Sequence, residues 1–168
     1  IKFPFSEGKK KSAALKEFFA FLDTTFHPKK IPISADLFGM TTSNNDDLGI
    51  GQILGDALIH FDFVAPMVYP SHYPPTFLGF PSPASKPYEV VKYAMDRAVI
   101  KSNMASTSPN KLRPWLQDFS IGKVSYTPEM VRAQIQATYD SGLNSWMLWN
   151  ASNVYTKSAL ENASTTSR

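Results

Sequence analysis

A chain of 168 residues with 43% hydrophobic and 18% charged positions can bury a sizeable core, as one domain or as part of a larger one. It contains no cysteine, which excludes disulfides, thiolate metal sites and a cysteine nucleophile. The net charge of +3 rests mainly on Lys9, Lys10, Lys11, Lys29 and Lys30, a solvated edge around one helix rather than a nucleic-acid stripe. No apolar run reaches the roughly 18 residues that would suggest a membrane span.

Taken in order, Ile1 to Phe5 reads as the end of a strand that begins upstream. Leu15, Phe18, Phe19, Leu22 and Phe26 then recur at three and four spacing and predict a helix over 12–27, stopped by Pro28. Residues 31–38 (IPISADLF) form a buried-type strand, and Gly39 opens a polar loop. Asp47 is placed to cap a helix with Ile50, Ile53, Leu54, Ala57 and Leu58 on one face. Gly49, Gly51 and Gly55 lack the order of a dinucleotide fingerprint and suggest close packing instead.

Residues 63–69 form the next strand, which breaks into PMVYPSHYPPTFLGF. Five prolines, Pro70, Pro74, Pro75, Pro81 and Pro83, restrict this loop and can hold its aromatic rings at low entropic cost. Pro87 starts a helix with Tyr88, Val91, Ala94, Met95 and Ala98 inward, followed by a polar connection over 102–110. Residues 112–119 (LRPWLQDF) are a fourth strand. Thr127-Pro128-Glu129 is a strong helix start, and Gly142 caps that helix at its far end. A fifth strand is expected at 145–150, a last helix over 156–162, and a frayed tail at 163–168.

Continuous apolar strands alternating with helices predict a parallel sheet covered by helices. An open doubly wound sheet and a (β/α)8 barrel compete for that pattern. Five units fall short of the roughly 250 residues of a whole barrel, and the chain starts in mid-strand. The expectation is therefore an α/β chain forming the C-terminal five β/α units of a TIM-type barrel over 1–162, with an apolar edge where the first three units belong.

The stretches SADLFGMTT, DDLGIGQ, PMVYPSHYPP, PYEVV, LRPWLQDF, VRAQIQATYDSG and WMLWNASNVY, in this order, resemble the glycoside hydrolase-like domain family of uncharacterised bacterial (β/α)8-barrel proteins. The resemblance runs over nearly all of residues 1–160. It implies a barrel acting on a polysaccharide or oligosaccharide, completed by an N-terminal barrel half. It also implies that Ile1-Lys2-Phe3-Pro4 ends a strand written Asp-Tyr-Ile-Arg-Phe-Pro in the family. Lys2 departs from that pattern, and the acidic residue would fall upstream of Ile1.

Glycoside hydrolysis uses two carboxyl groups, about 5 Å apart for retention and about 6.5–9.5 Å for inversion. Of the acidic residues, Asp36 and Asp118 sit near the C-terminal ends of predicted strands, where a barrel gathers its catalytic groups. Asp118 is the first candidate, paired with an upstream acid; an ordinary cap after the strand is its alternative. Asp36 is a supporting or substitute member, or a structural partner of Arg113 or Lys2. Tyr69, Tyr73, Trp115 and Trp149 are candidate sugar platforms. His72, Gln117 and Asn150 are candidate hydroxyl partners, and His72 could also shuttle a proton. His27, His60 and His72 lack metal-ligand spacing, so neither a metal nor a cofactor is expected, nor is a nucleic-acid partner. A non-catalytic carbohydrate-binding or scaffold protein on the same fold is the rival from another class, and a lyase or deacetylase a third. Location is left open, an extracytoplasmic or cell-envelope site being compatible with a polysaccharide substrate.

Overall fold

The computed structural model describes residues 8–161, so the strand expected at 1–5 and the tail expected at 163–168 lie outside the described residues. Helices and strands alternate as α1 (Lys11–Phe26), β1 (Ser34–Phe38), α2 (Leu54–His60), β2 (Phe63–Met67), α3 (Pro87–Met104), β3 (Trp115–Gln117), α4 (Pro128–Asp140) and β4 (Met147–Trp149). The strands lie in sequence order, β1-β2-β3-β4, and every neighbouring pair is parallel. A doubly wound sheet would reverse its strand order and carry helices on both faces. This unbroken order is that of consecutive units of a TIM-type barrel.

One core explains the layering. Phe19 of α1, Leu54, Ala57 and Leu58 of α2, Val91, Ala94, Met95 and Ala98 of α3, and Ala137 of α4 share a cluster with Leu37, Val64 and Leu116 of the sheet. All four helices thus cover the same sheet face. Burying a side chain such as Leu58 or Met95 contributes roughly 1.5–3 kcal/mol. The register pairs Asp36 with Ala65, Phe38 with Met67, Met67 with Trp115, Trp115 with Met147 and Gln117 with Trp149. Because successive side chains alternate between faces, these residues lie on the face the helices leave open. Phe38 is 57% and Trp149 42% exposed there.

The caps of the two later helices are as expected. Pro87 opens α3, and Thr127 Oγ1 accepts the Met130 amide at the start of α4. α3 runs on to Met104, absorbing the start of the expected polar connection. In α1 the stripe is only partly inward: Phe19 is buried edge-on against Phe61, their centroids 5.0 Å apart, while Phe18 is 52% exposed.

Three expectations are corrected. Strands are shorter at their ends than 31–38, 63–69, 112–119 and 145–150: Leu112 makes only an isolated bridge to Val64, and Pro114 has no N–H to donate to the ladder. The helix expected from Asp47 begins only at Leu54. Leu48, Gly49 and Gly51 take positive φ values of 56°, 67° and 87°, a left-handed path that no α-helix follows, and Ile50 is left exposed. Asp47 accepts the Gly49 amide within that turn instead of capping a helix. The expected close approach of glycine is real but of another kind, since a Cβ on Gly51 would come within 2.8 Å of the Lys11 carbonyl oxygen. Finally, the helix expected over 156–162 is a single 3-10 turn, Lys157–Ala159.

Candidate functional site

Parallel strands place every following loop at one edge of the sheet, and the candidate residues lie there or on the adjoining open face. Asp36 is the one acidic residue within a strand among the described residues. Its Oδ1 accepts the Trp115 indole N–H at 3.0 Å. Trp115 belongs to β3 and Asp36 to β1, so the indole reaches across β2. Ala65, the register partner of Asp36, is only 2% exposed, and its small side chain leaves room for the ring to cross. Trp149 meets Trp115 edge-on, at 5.8 Å between centroids and 80° between planes. A carboxylate, a donor that fixes its orientation and an exposed indole thus share one surface. Asp36 Oδ2 makes no hydrogen bond among the described residues.

The alternative pairing of Asp36 with Arg113 does not form. The Arg113 guanidinium instead stacks 3.3 Å from the centroid of Phe63, a cation–π contact on the sheet. Lys2, the other suggested partner, lies outside the described residues.

Above β1 and β2 a pocket of about 620 Å³ opens between Phe38, Met40, Met67, Tyr69, His72 and Tyr73, with Leu48 and Ile50 also in its lining. The loop read from the sequence as an aromatic platform supplies Tyr69, His72 and Tyr73 to this wall. Tyr69 is nearly buried, edge-on to His72 at 5.2 Å and to Phe119 at 5.4 Å. Burial first, and the Asp36 charge second, push its phenol well above the ordinary 10.0, so Tyr69 keeps its proton and offers a donor. Tyr73 is buried against Phe77, and burial pushes its phenol up as well. His72 is exposed at the rim.

Gln117, Asp118 and Asn150 are engaged internally. Gln117 is fully buried; its side chain accepts the Ser71 amide at 3.0 Å and donates to Ser71 Oγ and the Phe119 carbonyl, both at 2.8 Å. Behind it, Gln134 of α4 accepts the Gln117 amide and donates to its carbonyl. A relay therefore runs from α4 through β3 to the turn carrying His72. Asp118, 3% exposed, accepts the Thr156 amide at 2.8 Å and its hydroxyl at 2.6 Å, one on each oxygen. Asn150 donates to the Asp118 carbonyl and accepts the Ser152 amide. The structure thus brings Asp36, Trp115, Trp149, Tyr69, His72 and Tyr73 to one end and face, with Gln117, Asp118 and Asn150 bracing that end.

Sequence reasoning passed over Phe38, Met67 and Phe119. Phe38 and Met67 were legible as residues two positions beyond Asp36 and Ala65 on the same strand face; the contact of Phe119 with Tyr69 had no sequence signal. Among the described residues no group of three or more His, Cys, Asp or Glu is arranged to hold a metal, and no helix is long and apolar enough to cross a membrane.

Comparisons with known proteins bear on this arrangement. No curated protein matches the chain. Among solved structures, the PgaB (BpsB) glycoside hydrolase domain from Bordetella bronchiseptica is similar, with a TM-score of 0.60 and 17% sequence identity over 83% of this chain. That likeness is one of fold, and this chain spans 37% of the Bordetella chain. The family model described as "Putative glycosyl hydrolase domain" matches residues 1–155, and the chain belongs to that family.

Proposed function

We propose that this chain carries part of a polysaccharide-hydrolysing site in which Asp36 is the carboxylate presented to the sugar. The observation that carries the reading is the Trp115 N–H bond to Asp36 Oδ1 at 3.0 Å on the open sheet face. A donor fixed on one oxygen holds the carboxylate in a set orientation and leaves the other oxygen to face a substrate, as a nucleophile, base or electrostatic stabiliser must. Trp149 gives a flat apolar surface for the C–H face of a sugar ring, and the protonated Tyr69, close enough to Asp36 to feel its charge, gives a hydroxyl donor. Hydrolysis needs a second carboxyl group within about 5–9.5 Å, and the acidic residue that the family resemblance puts upstream of Ile1 is our candidate for it. Asp118 supports the site differently: with both oxygens bound to Thr156, its carboxylate latches the segment after β4 onto the end of β3.

The experiment is a panel of polysaccharides incubated with the protein and with Asp36→Asn, scored by release of reducing ends. Cleavage by the former and loss in the latter supports the reading; equal cleavage by both removes Asp36 from the chemistry. A second reading, carbohydrate binding without hydrolysis, is favoured by Asp36 being the one acidic residue within the described strands. Quenching of the Trp115–Trp149 pair by oligosaccharide with no reducing ends released selects that reading.

A further inference from the structure

At the opposite end of the sheet a separate group of side chains gathers around His27, where α1 ends. Its Nδ1 lies 2.6 Å from Asp23 Oδ1 and its Nε2 lies 2.9 Å from Asp62 Oδ2. Each ring nitrogen thus faces a carboxylate oxygen, which only accepts. A neutral imidazole has one N–H and one lone pair, so it can satisfy one of these contacts and must set its lone pair against the other. Only the imidazolium, with both nitrogens protonated, satisfies both. We propose that His27, Asp23 and Asp62 form a proton-gated clamp that fastens the end of α1 to the rim of the sheet while His27 carries both ring protons and releases it when one is lost.

The groups around the clamp agree with this assignment. From α2, His60 Nδ1 donates to the second Asp23 oxygen at 2.9 Å, holding that carboxylate in place. Just before β2, Asp62 Oδ2 also accepts the Ile33 amide at 2.7 Å, so the residue that grips His27 anchors the approach to β1. The other nearby cation is Lys111, whose charge reaches Asp62 while its ammonium donates to the Leu58 carbonyl at 2.9 Å. Lys29 and Lys30, which follow on the same segment, form no ion pair among the described residues. Two carboxylates therefore outweigh the cations at the ring. The hydrogen bonds that His27 donates to Asp62 and Asp23 push it above its ordinary 6.5, the direction the geometry requires. The ring is about one-third exposed, so protons reach it without unfolding.

The consequence is a local opening as pH rises through the raised midpoint of His27, distinct from anything at Asp36. Proton–carbon NMR of the full chain, with the histidine ring signals assigned through His27→Gln, His60→Gln and His72→Gln, measures the protonation midpoint of His27. Hydrogen exchange at the Ile33 amide measures the clamp. The expected result is a midpoint above 6.5 and a loss of Ile33 protection through that same midpoint. Asp62→Asn should bring the midpoint down. A wild-type midpoint at or below 6.5, or Ile33 protection that ignores it, overturns the proposal. These two wild-type readouts decide the matter even where Asp62→Asn fails to fold.

Discussion

Trp115 and Asp36 are 79 residues apart in the chain, yet the indole N–H of one meets the carboxylate of the other at 3.0 Å across the width of β2. A bond between a neutral donor and a charged acceptor contributes roughly 1.5–3 kcal/mol. Trp115→Phe removes the donor and keeps most of the ring. If the bond orients the working carboxylate, turnover on a cleaved polysaccharide should drop about 10- to 100-fold. Asp36→Asn should lose several orders of magnitude. Turnover within twofold of wild type in Trp115→Phe would show that the indole does not position the carboxylate.

Asp118→Asn separates the latch from the chemistry. Asparagine retains an acceptor for one Thr156 donor and cannot take both as a charged group does, so a loss of about 1–2 kcal/mol is expected in urea unfolding. Turnover should remain within about tenfold of wild type. A loss comparable to that of Asp36→Asn, with folding intact, would instead make Asp118 the catalytic carboxylate suggested by the sequence.

Gln117→Leu tests the brace beneath the aromatic turn. Leucine fills the space but leaves the Ser71 amide and hydroxyl without the partner they have in Gln117. Orphaning buried polar groups costs about 1–3 kcal/mol each, and equilibrium unfolding should show a loss in that range. Proton exchange at Ser71 and His72 should quicken more than at α3.

Of the glycines, Gly39 sits at the tightest crossing. A Cβ there would lie 2.2 Å from the Met67 carbonyl oxygen, backbone that cannot move without shifting β2. Gly39→Ala should therefore cost about 3 kcal/mol or more, read as a lowered thermal midpoint. A midpoint unchanged within error would mean that the two segments can part freely.

Stability should also depend on pH at its acid limb. Asp23 and Asp62 are both held below the ordinary 3.8, Asp23 by hydrogen bonds from His60 and His27, Asp62 by the Ile33 amide and His27. A carboxyl depressed in the folded state stabilises the fold above its unfolded value and loses that contribution as pH falls through the folded one. Calorimetry should accordingly find this contribution intact above 3.8 and declining below it. In Asp23→Asn the part due to Asp23 should be absent from that limb.

Much of this was readable from the residues. Pro87 and the Thr127-Pro128-Glu129 triplet fix where α3 and α4 start, because capping chemistry is local. The apolar runs around Leu37, Val64 and Leu116 name the strands, and alternation places Asp36 and Phe38 together on one face. Other features depend on long-range geometry. The Asp118–Thr156 and Gln117–Ser71 bonds join residues 38 and 46 positions apart, and nothing in WLQDF distinguishes a carboxylate bound to a distant threonine from one facing a substrate. The turn over 47–51 looked helical because its apolar spacing fits a helix. The sign of φ at Leu48, Gly49 and Gly51 decides otherwise.

The seam between β2 and β3 is the thinnest in the sheet, with one ladder pair, Met67 and Trp115, and the isolated Val64–Leu112 bridge, against five pairs between β1 and β2 and three between β3 and β4. Each strand pairs with its predecessor in the chain, so during synthesis β1 and β2 can associate before β3 emerges. β3 and β4, paired to each other at three positions, can then join them as a second unit. Asp36 belongs to the first unit, while Trp115 and Trp149 belong to the second. The surface they share therefore comes into being only at the final docking of the two, and a transient separation along that seam dismantles it while leaving each pair of strands whole.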